Sequence, residues 1–327
     1  MSRALWITGP GRAELRETPA GTGELSTGEA RARALFGGIS RGTEALILRG
    51  GVPESEWERM RAPLQEGDFP WPVKYGYATV ARVTEGPDHL VDRIVFALAP
   101  HQDILTLPAA LAMPVPEGVP PERAVLAANM ETALNVVWDA GAGPGDRIVV
   151  IGAGAVGALA AWLCARLPGA EVTLIDVNPD RAALAAALGC RFAAPGDAPD
   201  GADIAIHASA TAAGLATALG AVGTEGLVVE ASWYGARPVE VVLGGAFHAG
   251  RTRIVSSQVG AVAPTRRPRW SRARRLAKAL ELLADPALDA LITGETDFAD
   301  LALRYAAILE DPGTLCHRVR YPPEGGI

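Results

Sequence analysis

Residues 148–157 read I-V-V-I-G-A-G-A-V-G, and this stretch decides the fold. β-Branched residues lead into Gly152, Gly154 and Gly157, and a small-residue run rich in alanine follows. β-Branched side chains favour extended backbone and alanine favours helix, so the stretch reads as strand, tight turn, helix. In a chain with 37 glycines the G-x-G-x-x-G spacing is weak by itself. A strand running in and a helix running out supply the context that makes it a dinucleotide fingerprint. Gly152 permits the turn, Gly154 lets a pyrophosphate approach the backbone, and Gly157 lets helix and strand pack closely. Ala153, Ala155 and Val156 complete the turn. The helix start offers free N–H groups and partial positive charge to phosphate.

Working outward, strands alternate with helices. Residues 147–151 form a strand, 155–167 a helix, 172–176 a strand, and 179–188 a helix stopped by Gly189. Residues 204–207, 211–221 and 227–230 continue the alternation. Such a pattern implies parallel strands joined by right-handed crossovers, hence a doubly wound α/β sheet. Asp176 stands 19 residues after Gly157, where an acid accepts hydrogen bonds from the adenosine ribose diol. Its charge favours NAD(H) over NADP(H). Arg181, in the next helix, is suited to a 2′-phosphate and leaves NADP(H) open. Residues beyond the later strands, Ala208, Ser209, Ser232, Trp233 and Ser257, are expected to contact nicotinamide and ribose. A Gly-rich turn with an acid after the second strand also occurs in S-adenosylmethionine-dependent methyltransferases, the main rival on these residues alone.

The rest of the chain sets bounds. Its 327 residues suit two domains. The first 120 residues are β-like, with short apolar runs at 78–83 and 93–98 between Gly/Pro turns. Residues 121–140 read as a helix and 271–284 as another. With 30 Lys plus Arg against 37 Asp plus Glu, the net charge is −7, which disfavours a nucleic-acid partner. Three well-separated cysteines indicate neither a disulfide framework nor a thiolate zinc site. No signal peptide is evident, and no apolar run reaches the ~20 residues of a membrane span. A soluble cytoplasmic protein with no membrane partner is expected. Six arginines fall between Arg266 and Arg275, around Trp270. They read either as a solvated helix start capped by Ser271 or as a site for an anionic substrate.

Four segments carry a family resemblance: G-I-S-R-G-T-E (38–44), K-Y-G-Y-A-T-V-A-R-V (74–83), M-E-T-A-L-N (130–135) ahead of A-G-A-G-P-G-D-R-I-V-V-I-G-A-G-A-V-G, and S-S-Q-V-G (256–260). Together they make the chain resemble the medium-chain dehydrogenase/reductase superfamily over nearly its whole length. The branch it is most similar to contains bacteriochlorophyllide a dehydrogenase. The resemblance implies a GroES-like β-rich catalytic domain over 1–122, a Rossmann dinucleotide-binding domain over 123–257, and a return segment over 258–327. It implies hydride transfer to or from a carbonyl, alcohol, C=C or C=N of a medium-sized metabolite, including roles in specialised metabolism. Enoyl or quinone reduction is the alternative chemistry, and a non-catalytic dinucleotide-binding protein is the alternative class. Relatives commonly dimerise through the Rossmann sheet edge, so a homodimer is expected.

Zinc-dependent relatives carry a Cys, a His-Glu pair and a further Cys or Asp. Against that pattern, Ser40 falls near the Cys (with a one-residue offset against Arg41), Tyr77 at the His, Ala78 at the Glu and Ala128 near the last ligand. Zn²⁺ wants thiolate, imidazole or carboxylate, so the expectation is a zinc-independent enzyme with no metal site. The oxygen that receives charge then needs a hydrogen-bond donor. Tyr77 is the first candidate, with strand packing as its other reading. Ser40 and Thr43 are either donors or loop caps. Arg41 is either a pyrophosphate contact or a surface arginine. Glu131 is either a general acid/base or an ion-pair residue, with Lys74 as a possible partner.

Overall fold

The computed structural model describes residues 2–19 and 23–322. The chain divides into two compact units. One holds residues up to Ala128, with Leu280–Asp285 and the chain from Ile292 onward; the other holds Asn129–Ala279 and Pro286–Leu291. Both limits fall later than the 122/123 and 257/258 boundaries expected from the sequence. Residues 258–279 lie with the dinucleotide unit because buried Arg275 bonds there to Glu131 and Asn135.

The dinucleotide unit is built on six parallel strands, in the order Arg191–Ala193, Glu171–Ile175, Arg147–Ile151, Ala202–His207, Val222–Glu230, Arg253–Ser256. The first of these in the chain, Arg147–Ile151, lies inside the sheet, with the second on one side and a later strand on the other. That reversal opens the crevice at the carboxyl ends where doubly wound sheets bind ligands. Ile148, Val149 and Val150 are each at most 1% exposed, as a strand covered on both faces requires. Val149, Ile151, Ala205, Leu215 and Val228 share one core cluster. Full burial of each larger aliphatic contributes about 1.5–3 kcal/mol.

The expected strand 147–151 and the helix starting at 155 stand as read, the helix closing at Cys164. The 172–176 strand runs Glu171–Ile175, and the 179–188 helix is confined to Arg181–Ala187. The helix expected over 121–140 is two helices, Pro121–Ala124 and Ala127–Ala140. Between them Leu126 N–H bonds to Arg123 O, a tighter i→i+3 turn that breaks the α ladder.

The other unit is β-rich. Its longest strand, Glu29–Ser40, pairs antiparallel with Thr79–Glu85, Ile104–Pro108 and Cys316–Arg320. The chain's last strand thus completes a sheet begun near its start. Ala30, Ala32, Ala81, Val83, Val95, Leu105 and Leu107 form its core cluster. Helix Arg41–Leu48 leaves directly from the end of the long strand and carries Thr43 and Glu44. The expected strands at 78–83 and 93–98 are Thr79–Glu85 and Ile94–Ala97. Among the described residues no helix is long and apolar enough to cross a membrane.

Candidate functional site

The carboxyl ends of the parallel strands collect the polar groups of the dinucleotide unit. Gly152 has φ +102°, open to glycine and strained for other residues. A Cβ there would meet Ser209 N at 2.8 Å, so the turn is pressed against the Ala208–Ser209 segment. A Cβ on Gly157 would stand 2.0 Å from Gly152 O, which shows how closely helix and turn approach. Gly154 differs: it is exposed, its φ is −74°, and a Cβ would meet nothing within 4 Å. It is the N-cap of helix Ala155–Cys164 and makes no side-chain cap bond, so the first N–H groups of that ten-residue helix await an acceptor. A diphosphate fits this donor set, and the open space over Gly154 is where it would approach.

Asp176 joins its own strand end to the turn. Its Oδ2 accepts from Ala153 N–H at 2.7 Å and its Oδ1 from Asn178 N–H at 2.8 Å. The carboxylate keeps further lone pairs for ribose hydroxyls. Arg181 begins the following helix and is partly buried.

Sequence reasoning missed the next group. His207 and Glu230 end adjacent strands in register. His207 is 0% exposed, with Nδ1 2.8 Å from Glu230 Oε2 and Nε2 2.6 Å from Ser209 Oγ. Since the carboxylate accepts, Nδ1 carries the proton and Ser209 donates to Nε2 when the ring is neutral. Ser209 also meets Thr211 Oγ1 at 2.9 Å, and Thr211 caps the next helix through Gly214 N–H. Glu230 accepts from Ser232 N–H at 2.8 Å and Tyr234 Oη–H at 3.1 Å. Burial pushes the Glu230 carboxyl up, but the hydrogen bond and charge of His207 together with the hydrogen bonds from Ser232 outweigh it and hold the group below its ordinary value. Tyr234 is pushed well up by burial and by the neighbouring Glu230 charge, so it stays a neutral phenol. Ser232 Oγ–H, 3.3 Å from His207 O, also receives Ala210 N–H at 3.0 Å. Trp233 is partly buried. The signal for His207 and Glu230 was present: A-D-I-A-I-H and G-L-V-V-E each end an apolar strand on a titratable residue.

Ser257 follows the last strand. Its N–H bonds to Glu230 O at 2.9 Å and its hydroxyl donates to Asp139 Oδ2 at 2.6 Å. Glu131 is 5% exposed and its Oε1 accepts from Arg275 Nε at 3.0 Å. Lys74 is not its partner: it bonds instead to Glu66 and, at 2.7 Å, to Gln102.

In the β-rich unit, Tyr77 lies in the four-residue link between strands Val73–Lys74 and Thr79–Glu85, so its strand-packing reading places it just outside a strand. Gly76 before it has φ +133°, and a Cβ would strike His101 N at 2.9 Å. Tyr77 packs edge-on to Tyr75 at 6.0 Å. Its phenol is pushed far above its ordinary value by burial and by Glu44, while hydrogen bonds with Ser40 and Thr43 work the other way. It is therefore a neutral hydrogen-bond donor. Glu44, also missed, is fully buried. It accepts from Ser40 N–H at 2.7 Å and Tyr305 Oη–H at 2.7 Å, with His101 Nε2 at 2.9 Å. His101 Nδ1 is buried with no partner among the described residues. Arg41 donates from Nε to Leu309 O at 3.3 Å. Thus the structure gathers Ser40, Thr43 and Tyr77 in one unit, and the Gly152–Gly157 turn, Asp176, Ala208, Ser209, Ser232 and Ser257 at one sheet end of the other.

The positions expected for zinc ligands hold a serine, a tyrosine and two alanines. Among the described residues no three His, Cys, Asp or Glu side chains converge to hold a metal. Zn²⁺ does not fit this donor set.

A family model, "Alanine dehydrogenase/PNT, C-terminal domain", matches residues 132–225, the heart of the parallel sheet. D-guloside 3-dehydrogenase of Escherichia coli (strain K12) is 25% identical over 329 residues, covering 91% of each chain. L-idonate 5-dehydrogenase of E. coli superimposes with a TM-score of 0.78 over 98% of both chains at 15% identity. The fold is that of the medium-chain dehydrogenases/reductases. A structure assigned as a zinc-binding dehydrogenase of Sinorhizobium meliloti 1021, bound to NADP, shares it with a TM-score of 0.76 and 17% identity, covering 98% of this chain and 99% of that one.

Proposed function

We propose that this chain moves a hydride between a nicotinamide dinucleotide and the carbon of a secondary hydroxyl in a polyol or sugar-like molecule, without zinc. It is an NAD(P)-dependent dehydrogenase. The observation that carries the reading is the Gly152–Gly157 turn, its uncapped helix start open above Gly154 and its backbone tied to Asp176. The polyol class rests on the likeness to D-guloside 3-dehydrogenase. The nicotinamide ring, when bound, supplies or accepts the hydride. Residues of the chain do the rest. N–H groups at the helix start hold the pyrophosphate. Asp176 takes the ribose diol, and its charge disfavours a 2′-phosphate, which makes NAD(H) the favoured form.

Zinc independence rests on the donor chemistry at Ser40, Tyr77, Ala78 and Ala128. Tyr77, a neutral phenol beside Ser40 and Thr43, is then the hydrogen-bond donor to the substrate oxygen. The bacteriochlorophyllide-dehydrogenase-like branch, with a role in specialised metabolism, is supported by G-I-S-R-G-T-E, K-Y-G-Y and N-M-E-T-A-L-N together. The edge strand Arg253–Ser256, with Ile254 38% exposed, is the surface that suits a homodimer. The test is oxidation of a panel of polyols with NAD⁺, followed by reduction of the ketone product with deuterated NADH. Deuterium on a carbinol carbon is expected. Deuterium on a saturated β-carbon would replace this reading with enoyl reduction, and binding without turnover would replace it with a non-catalytic role.

A further inference from the structure

Helix Ala127–Ala140 carries a polar stripe that the fingerprint does not account for. Glu131, Asn135 and Asp139 recur every four residues and so share one helix face. The face is largely buried: Glu131 is 5% exposed and Asn135 1%. It is bonded to the loop that leaves the last parallel strand. Ser257 Oγ–H donates to Asp139 Oδ2 at 2.6 Å, and Asn135 Nδ2 donates to the same oxygen at 2.9 Å. Asn135 Oδ1 accepts from Ala263 N–H at 3.1 Å and from Arg275 Nη1 at 2.6 Å. Arg275, 1% exposed, also donates to Glu131 at 3.0 Å and to the carbonyls of Val259 at 2.5 Å and Ala261 at 3.3 Å. Four points of an otherwise largely exposed loop are therefore held by side chains.

Such a network is poorly explained as a source of stability. Buried ion pairs lose much of their Coulombic gain to desolvation, and apolar packing would close a loop as well. What the network gives is a fixed backbone path. The path also has a location. Asp176, at the adenosine end, lies on one side of the Gly152 turn in the strand order, and the loop after Arg253–Ser256 lies on the other. It is three strand spacings from the turn, about 14 Å, within reach of an extended dinucleotide. Among the described residues, the N–H groups of Gln258 and Val259 have no partner, leaving two donors there.

We infer that Glu131, Asn135, Asp139 and Arg275 form a clamp that sets the 257–261 backbone as the bed for the nicotinamide end of the cofactor. They are positioning residues, acting through the loop they hold. The inference rests on the dehydrogenase reading and assigns Glu131 a role other than general acid/base.

The test compares two probes on the full chain. NADH spans both ends of the site, and AMP only the adenosine end. Affinities are measured for the wild type and for Arg275→Lys, Glu131→Gln and Asp139→Asn, with circular dichroism and Tm as controls. Glu131→Gln and Asp139→Asn keep side-chain size but remove the charges that hold Arg275 and the Ser257 hydroxyl, so at least one folded variant with a weakened clamp is expected. The clamp predicts tenfold or greater weakening for NADH with AMP affinity changed less than about twofold. Unchanged NADH affinity in folded variants, or parallel loss of NADH and AMP, would overturn it. A wild type that binds AMP but neither NADH nor NADPH would overturn the dehydrogenase reading and the clamp with it.

Discussion

Two glycines of one turn are predicted to fail in different ways when each is changed to alanine. At Gly157 a Cβ would stand 2.0 Å from the carbonyl oxygen of Gly152. Reaching tolerable contact requires helix and turn to separate by roughly 1 Å in a close-packed interior. Overpacking of this kind costs about 1–3 kcal/mol, a fall in Tm of several degrees. The same displacement moves the phosphate-binding N–H groups, so NADH affinity should drop by tenfold or more, about 1.4 kcal/mol per tenfold. At Gly154 the added methyl meets no protein atom within 4 Å and the backbone φ of −74° suits alanine. Stability should stay within about 0.5 kcal/mol of wild type. A methyl in the path of the pyrophosphate should still weaken NADH by tenfold or more. Differential scanning fluorimetry and NADH fluorescence titration read the two quantities separately. A Gly154→Ala protein that binds NADH normally would refute the placement of the phosphates, and a Gly157→Ala protein of unchanged Tm would refute the packing.

Tyr77→Phe should keep its NADH dissociation constant and lose turnover by about 10²–10⁴-fold; unchanged turnover returns the residue to packing. Glu230 has its folded pKa held below 4.5, so its contribution to stability is present above about pH 4.5 and lost as pH falls through the lower folded value. Glu230→Gln should therefore flatten the acid limb of Tm against pH, and an unaltered limb would contradict the His207 pairing. Ile254→Asp on the edge strand should shift a dimer toward monomer in sedimentation equilibrium, and a wild type already monomeric at micromolar concentration would remove that surface from consideration.

The dinucleotide half was legible because its signals are local. Each strand is a short apolar run, each turn is marked by glycine, and parallel neighbours follow in an order that the crossover rule constrains. Strand Arg147–Ile151 and the helix from Ala155 could be read almost to the residue. The β-rich unit resisted because its pairings are distant: Glu29–Ser40 lies against Cys316–Arg320, and Val73–Lys74 is two residues long. The same distance hid Glu44, His101 and Tyr305, which meet only once the sheet is assembled. Glu131 was visible as an unusual acid, but its partner Arg275 lies 144 positions away, inside what read as a basic loop. Domain limits slipped for the same reason.

The central claim is a nicotinamide dinucleotide held by the Gly152–Gly157 turn and Asp176. Titration of the purified wild type with NADH and with NADPH, followed by ligand fluorescence, tests it most directly. The account predicts saturable binding of NADH, tighter than NADPH, with the preference reduced in Asp176→Ala. No fluorescence change and no thermal shift with either dinucleotide would contradict it.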